Sequence, residues 1–150
     1  MAAIAHRIAD HAHHPVDSVS LTYDARLLRR KRLITDGGAA FLVDLPQTTS
    51  LAAGNAFILD DGREILVKAA DEPLMRVTGD LTRLAWHIGN RHAPCAISDT
   101  AIYVQREKVM RAMLEQLGAI VEDVTGPFTP EGGAYGHGRT MGHDHSHSHA

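Results

Sequence analysis

The sequence predicts an α+β chain: a small N-terminal antiparallel β domain, then a ferredoxin-like βαββαβ domain, then a flexible His-rich C-terminal tail. Three observations carry this. Between Ser18 and about Ala70, short apolar runs are cut at Asp36-Gly37-Gly38 and Asp60-Asp61-Gly62, and Asp-Gly supplies the positive φ that a tight hairpin needs. Beyond Pro73, two apolar stripes of helical period alternate with strand-like runs. From Glu131 onward apolar periodicity is lost and histidines accumulate. The expected divisions are a flexible N-terminal arm over 1–17, a β-rich domain over 18–71, the ferredoxin-like domain over 72–130 and the tail over 131–150.

In chain order, His6, His11, His13 and His14 precede Pro15. Proline pushes its predecessor away from helical backbone, so an extended or disordered arm is expected there. Val19, Leu21 and Tyr23 then alternate with polar neighbours, as in a half-buried strand. The basic run Arg29 to Arg32 reads as a solvated edge that discourages sheet-to-sheet association. A second strand is expected from Leu33-Ile34, resuming after the Gly turn in Ala39 to Val43. Phe57-Ile58-Leu59 and Glu64 to Val67 flank the second Asp-Gly turn.

After a break at Ala69 to Pro73, Leu74 to Val77 reads as a strand. A helix opens at Gly79-Asp80, with Asp80 or Thr78 as its cap. Leu81, Leu84, Ala85 and Ile88 form one apolar face. Gly89-Asn90 should end the helix, because these two residues take the left-handed conformation most cheaply. Strands are expected at Ala96-Ile97 and Ala101 to Val104. A second helix runs from Arg106 to Leu117 with a stripe of Val109, Met110, Met113, Leu114 and Leu117, and Gly118 stops it. Ile120 to Val124 closes the β-α-β-β-α-β order.

Composition narrows the function. Hydrophobic residues at 44% and charged residues at 22% describe a globular chain. A formal net charge of -3 disfavours nucleic acid as the main partner. No run of eighteen apolar residues is present, so no membrane span is expected. The single cysteine, Cys95, excludes an internal disulfide and Cys-x-x-Cys chemistry. With no signal peptide legible, a cytoplasmic location is expected. Cys95, a small residue entering a strand, should be half-buried and inert.

The candidate ligands are imidazoles. His137, His143, His145, His147 and His149 lie in the last twenty residues, the final four alternating with Asp or Ser. A stretch that cannot pack but is rich in imidazole suits Ni, Zn, Cu or Fe. His92, in the loop Gly89 to Pro94, is placed where side chains face solvent or a partner. His87 lies beside the apolar helix face, where a structural role is favoured. No Gly-x-Ser-x-Gly elbow, His-Glu-x-x-His helix or phosphate-cradling Gly loop is present, so no enzyme is expected.

Ile88-Gly89-Asn90-Arg91-His92, the run from Pro127 through Glu131-Gly132-Gly133-Ala134-Tyr135-Gly136-His137-Gly138, and the His-rich end together resemble the urease accessory nickel metallochaperone family. The likeness spans nearly the whole chain. It implies a homodimer through the ferredoxin-like domains, with His92 of both subunits at one shared metal site. His137 and then His143 to His149 are the implied further ligands. Ni(II) is the implied cargo, with Zn(II) or Cu(II) in competition at such donors. The implied partners are an accessory GTPase and the urease apoprotein assembly complex. One departure is plain: a histidine pair found in some members aligns with Arg106 and Lys108, which are cationic and poor ligands. Two other readings remain open, a Ni or Zn store without a delivery partner and a peptide-binding adaptor whose histidines are incidental.

Overall fold

The computed structural model describes residues 3–132. The chain divides into two compact units, Met1–Ala70 and Asp71–Ala150. The class is mixed α+β, with ten strands, two α-helices and two sheets among the described residues.

The first unit is a six-stranded sheet built from β1 (Ala3–Ala9), β2 (Pro15–Leu21), β3 (Leu27–Ile34), β4 (Ala40–Ser50), β5 (Ala56–Leu59) and β6 (Glu64–Ala69). Its order is β2-β6-β5-β1-β4-β3. Two expectations are corrected here. Of the expected flexible arm over 1–17, the described residues 3–17 are not one, because β1 lies inside the sheet between β5 and β4 and β2 begins at Pro15. Ala5 on β1 is fully buried, where a methyl side chain fits between neighbouring strands. The sheet is also mixed rather than antiparallel, since β1 pairs β4 and β2 pairs β6 in parallel.

The two predicted turns form. Gly38 (φ 95°) joins β3 to β4 and Gly62 (φ 90°) joins β5 to β6, both pairs antiparallel. β3 begins at Leu27, six residues earlier than expected, and therefore contains the basic run. Arg29, Arg30, Lys31 and Arg32 are all exposed on this edge strand. Pro15 opens β2 at the opposite edge, where a missing N–H costs no ladder bond. The core gathers Val19, Leu21, Val43, Ile65 and Val67 around Phe41 and Phe57, whose rings meet edge to face at 5.4 Å.

The second unit runs β7 (Asp71–Thr78), α1 (Leu81–Asn90), β8 (Cys95–Ile97), β9 (Ile102–Gln105), α2 (Lys108–Gln116) and β10 (Ile120–Pro127). Its four strands pair antiparallel in the order β10-β7-β9-β8. Met75, Val77, Ile102 and Val104 from the sheet pack with Leu84 and Ile88 of α1 and with Met110 and Leu114 of α2. Asp80 caps α1 by accepting from the Arg83 N–H, and Glu107 caps α2 by accepting from Val109 and Met110. Helix α2 is therefore shorter than the expected span of 106–117. Two members of its predicted stripe are corrected: Val109 and Leu117 are 59% and 43% exposed. The helix turns Met110 and Leu114 to the sheet, leaving those two at the margins of the buried face.

Candidate metal centre

His92 lies just past the C-terminus of α1, and its backbone is unusual. Among the described residues it is the one non-glycine with positive φ, at 59°. The expectation that Gly89 or Asn90 would take the left-handed turn is corrected, because both remain in the helix. The His92 N–H donates to the Gly89 carbonyl at 2.9 Å, and the Ala93 N–H reaches back to the Ile88 carbonyl at 3.3 Å. This is the paired cap that usually places glycine at the left-handed position. Ala93 then packs against the cluster containing Ile88. Buried Ile88 and partly buried Ala93 thus fix the loop, and the left-handed residue between them is histidine.

The His92 side chain is exposed and makes no hydrogen bond, ion pair or ring contact among the described residues. A strained backbone holding an outward, unpartnered imidazole is the kind of outlier that marks a functional position. The neighbouring residues carry supporting interactions. The Arg91 charge, after the two backbone hydrogen bonds from Val109 and Met110, helps hold the Glu107 carboxyl below its ordinary value. Ala93 and Pro94 line one hollow with Glu107 and Met110, so the first turn of α2 lies near the His92 loop. Cys95 is half-buried, and burial followed by the Glu131 charge pushes its thiol up, which fits an inert cysteine.

The other histidines are placed differently. His87 stacks edge to face on Trp86 at 5.0 Å, half-buried on α1. His11, His13 and His14 lie in the β1–β2 connection, exposed. The Glu64 carboxylate accepts from the backbone N–H of His13 at 2.8 Å and of His14 at 2.7 Å. His6 faces Asp60 at 2.9 Å. His137, His143, His145, His147 and His149 lie outside the described residues. Among the described residues no three His, Cys, Asp or Glu side chains converge into a metal-holding group. Arg106 donates to the carbonyls of Leu74 and Val124 and pairs with Asp123, so it serves as a structural clamp.

Two features were not anticipated from sequence. One is the left-handed backbone at His92. The other is Glu131, whose N–H donates to the Cys95 carbonyl at 2.8 Å while its carboxylate accepts from the Ile97 N–H at 3.1 Å.

Comparison with known proteins decides the family. The profile "UreE urease accessory protein, N-terminal domain" matches residues 2–70, and "UreE urease accessory protein, C-terminal domain" matches residues 72–150. The chain belongs to the UreE urease accessory protein family. The chain is 63% identical over 130 residues to the urease accessory protein UreE of Ruegeria pomeroyi, covering 86% of this chain and 87% of that protein. The UreE of Rhodobacter capsulatus is 57% identical over 136 residues, covering 89% and 87%. That of Paracoccus denitrificans is 53% identical over 135 residues, with the same two shares. The UreE name denotes an accessory role in the urease system and not a catalysed reaction. Each of the two observed units coincides with one family domain to within two residues at the boundary.

Proposed function

We propose that this chain is a nickel metallochaperone that carries Ni(II) to the urease active site during its assembly. The observation that supports this best is His92: an exposed imidazole with no hydrogen-bond, ion-pair or ring partner among the described residues, on a backbone held in the left-handed region. One imidazole is a poor chelator, so the site is completed by a second copy. A two-fold homodimer brings identical loops together, and two His92 side chains supply half of a four-ligand sphere. His137 is the next ligand, and His143, His145, His147 and His149 form a looser reserve. The second unit, with its β-α-β-β-α-β order, is read as a ferredoxin-like dimerisation and metal-binding domain.

The donor chemistry favours exchange over trapping. Imidazoles without thiolates release ions one bond at a time, and at such donors Cu(II) outcompetes Ni(II) in raw affinity. Selection therefore falls to metal supply, geometry and the docking partner. The proposed partners are an accessory GTPase and the urease apoprotein assembly complex, and the proposed compartment is the cytoplasm.

Calorimetric titration of nickel into wild type and His92→Ala, with mass measured by light scattering, tests this. One tightly held ion per dimer is expected, and it should vanish in His92→Ala while the dimer persists. Undiminished tight binding in His92→Ala would refute the shared site. Binding requires neutral imidazole, so nickel occupancy should fall as the pH drops below about 6.

A further inference from the structure

The last described residues follow a path that the family likeness does not require. β10 and β8 occupy opposite edges of the four-stranded sheet. Met75, Val77, Ile102 and Val104 face the helices. Alternation therefore turns Leu74, Arg76, Tyr103 and Ala96 to the other face. Phe128, the first residue past β10, is fully buried and lines one hollow with those residues. Three residues later, Glu131 is bonded to β8 from both its backbone and its carboxylate. The segment thus passes from β10 to β8 over the face that the helices leave uncovered.

We propose that Phe128–Glu131 is a strap that fixes the point from which the histidine-bearing C-terminal sequence continues, with Glu131 the positioning residue that pins it to β8 beside the His92 loop. The inference rests on the nickel reading above. Cys95, which accepts from Glu131, is three residues after His92, at most about 11 Å along the chain. His137 is six residues beyond Glu131, a reach of at most about 21 Å. A tether of matched length keeps the effective concentration of a second ligand high, and it falls when the anchor moves away. Loss of the carboxylate bond leaves only the Glu131 N–H on the Cys95 carbonyl, and whenever that single bond opens the last fixed point retreats toward β10 at the far edge and the tether grows from six residues to nine or ten. A strap that only covered the sheet would make no such link between Glu131 and the tail histidines.

Four full-length proteins separate these cases: wild type, Glu131→Ala, a variant with His137, His143, His145, His147 and His149 all changed to Ala, and the combination. With nickel as the titrant, Glu131→Ala should weaken binding about threefold to tenfold in the wild-type background. It should leave affinity unchanged where the tail histidines are absent. Glu131→Gln retains the acceptor for the Ile97 N–H and should restore most of the wild-type affinity. An equal loss in both backgrounds, or no loss in either, overturns the proposal. Amide exchange at Ile97 in the metal-free protein gives an independent reading. Faster exchange in Glu131→Ala, with Glu131→Gln near wild type, supports the pin, and unchanged exchange in Glu131→Ala overturns it. Should the wild type take up no nickel, the functional reading fails, and the Ile97 exchange still decides whether the strap is pinned.

Discussion

At the scale of single residues, His92 presents a conflict between backbone and side chain. A left-handed conformation costs an L-residue about 1–2 kcal/mol, and histidine is among the side chains that tolerate it better. Glycine removes that strain but surrenders more chain entropy on folding. His92→Gly should therefore stabilise the metal-free protein by about 0.5–1 kcal/mol in urea denaturation while abolishing tight nickel binding. A loss of stability would mean that the imidazole does structural work hidden from its contacts, and the functional reading of the strain would fall. The candidate status of His92 was legible from its loop and its motif. Its conformation was not, because Gly89 and Asn90 are the better left-handed residues by propensity. Tertiary packing overrides them: Ile88 is buried and the Ala93 N–H must return to its carbonyl, so the turn is displaced to the residue between.

Elements show the same contrast between local and distant signals. The β3–β4 and β5–β6 hairpins were readable because Asp-Gly turns encode them within a few residues. The parallel pairings of β1 with β4 and β2 with β6 join residues far apart in sequence, and no local pattern reports them. β1 was hidden further by its alanines, which carry weak strand propensity yet suit a crowded position between two neighbours. What secures its exit is Glu64, whose carboxyl is held below its ordinary value chiefly by the His14 and then the His13 backbone N–H groups. A carboxyl whose folded pKa is lowered stabilises the fold fully above its unfolded value, and that contribution is lost as the pH falls through the folded one. Asp17 is depressed in the same direction, first by the Thr35 side chain, and Glu107 by the α2 amides. The amides of His13 and His14 should accordingly be protected from exchange at pH 6. They should lose that protection as the pH falls below about 4, after correction for intrinsic rates. Protection that persists in acid far below the ordinary glutamate range would show that the connection is held by something other than the Glu64 charge.

For the whole molecule, the proposed centre is a property of a pair of chains, and the apolar surface near His92 is where pairing should be felt. Val109 is 59% exposed in the first turn of α2, the turn whose capping Glu107 senses Arg91 in the His92 loop. Trp86, 64% exposed, lies on α1 less than two turns before His92. Neither side chain is placed there by the core, which the same helices serve through Leu84, Ile88, Met110 and Leu114. The sequence stripe counted Val109 as core, an error that arises because an apolar residue at helical spacing reads the same whether or not its own sheet covers it. If Val109 packs across a two-fold axis, a charge there appears twice, is desolvated and meets its own like. Val109→Asp should shift sedimentation toward the monomer at micromolar concentration and weaken nickel binding together with it, while circular dichroism stays that of the wild type. Ile34→Asp offers the control, since Ile34 is 50% exposed in the other unit on the edge strand that carries the basic run. It should leave both the mass and the nickel titration unchanged. A Val109→Asp protein that remains fully dimeric would place the axis away from α2. One that is monomeric yet binds nickel as tightly as the wild type would separate the metal site from the dimer altogether.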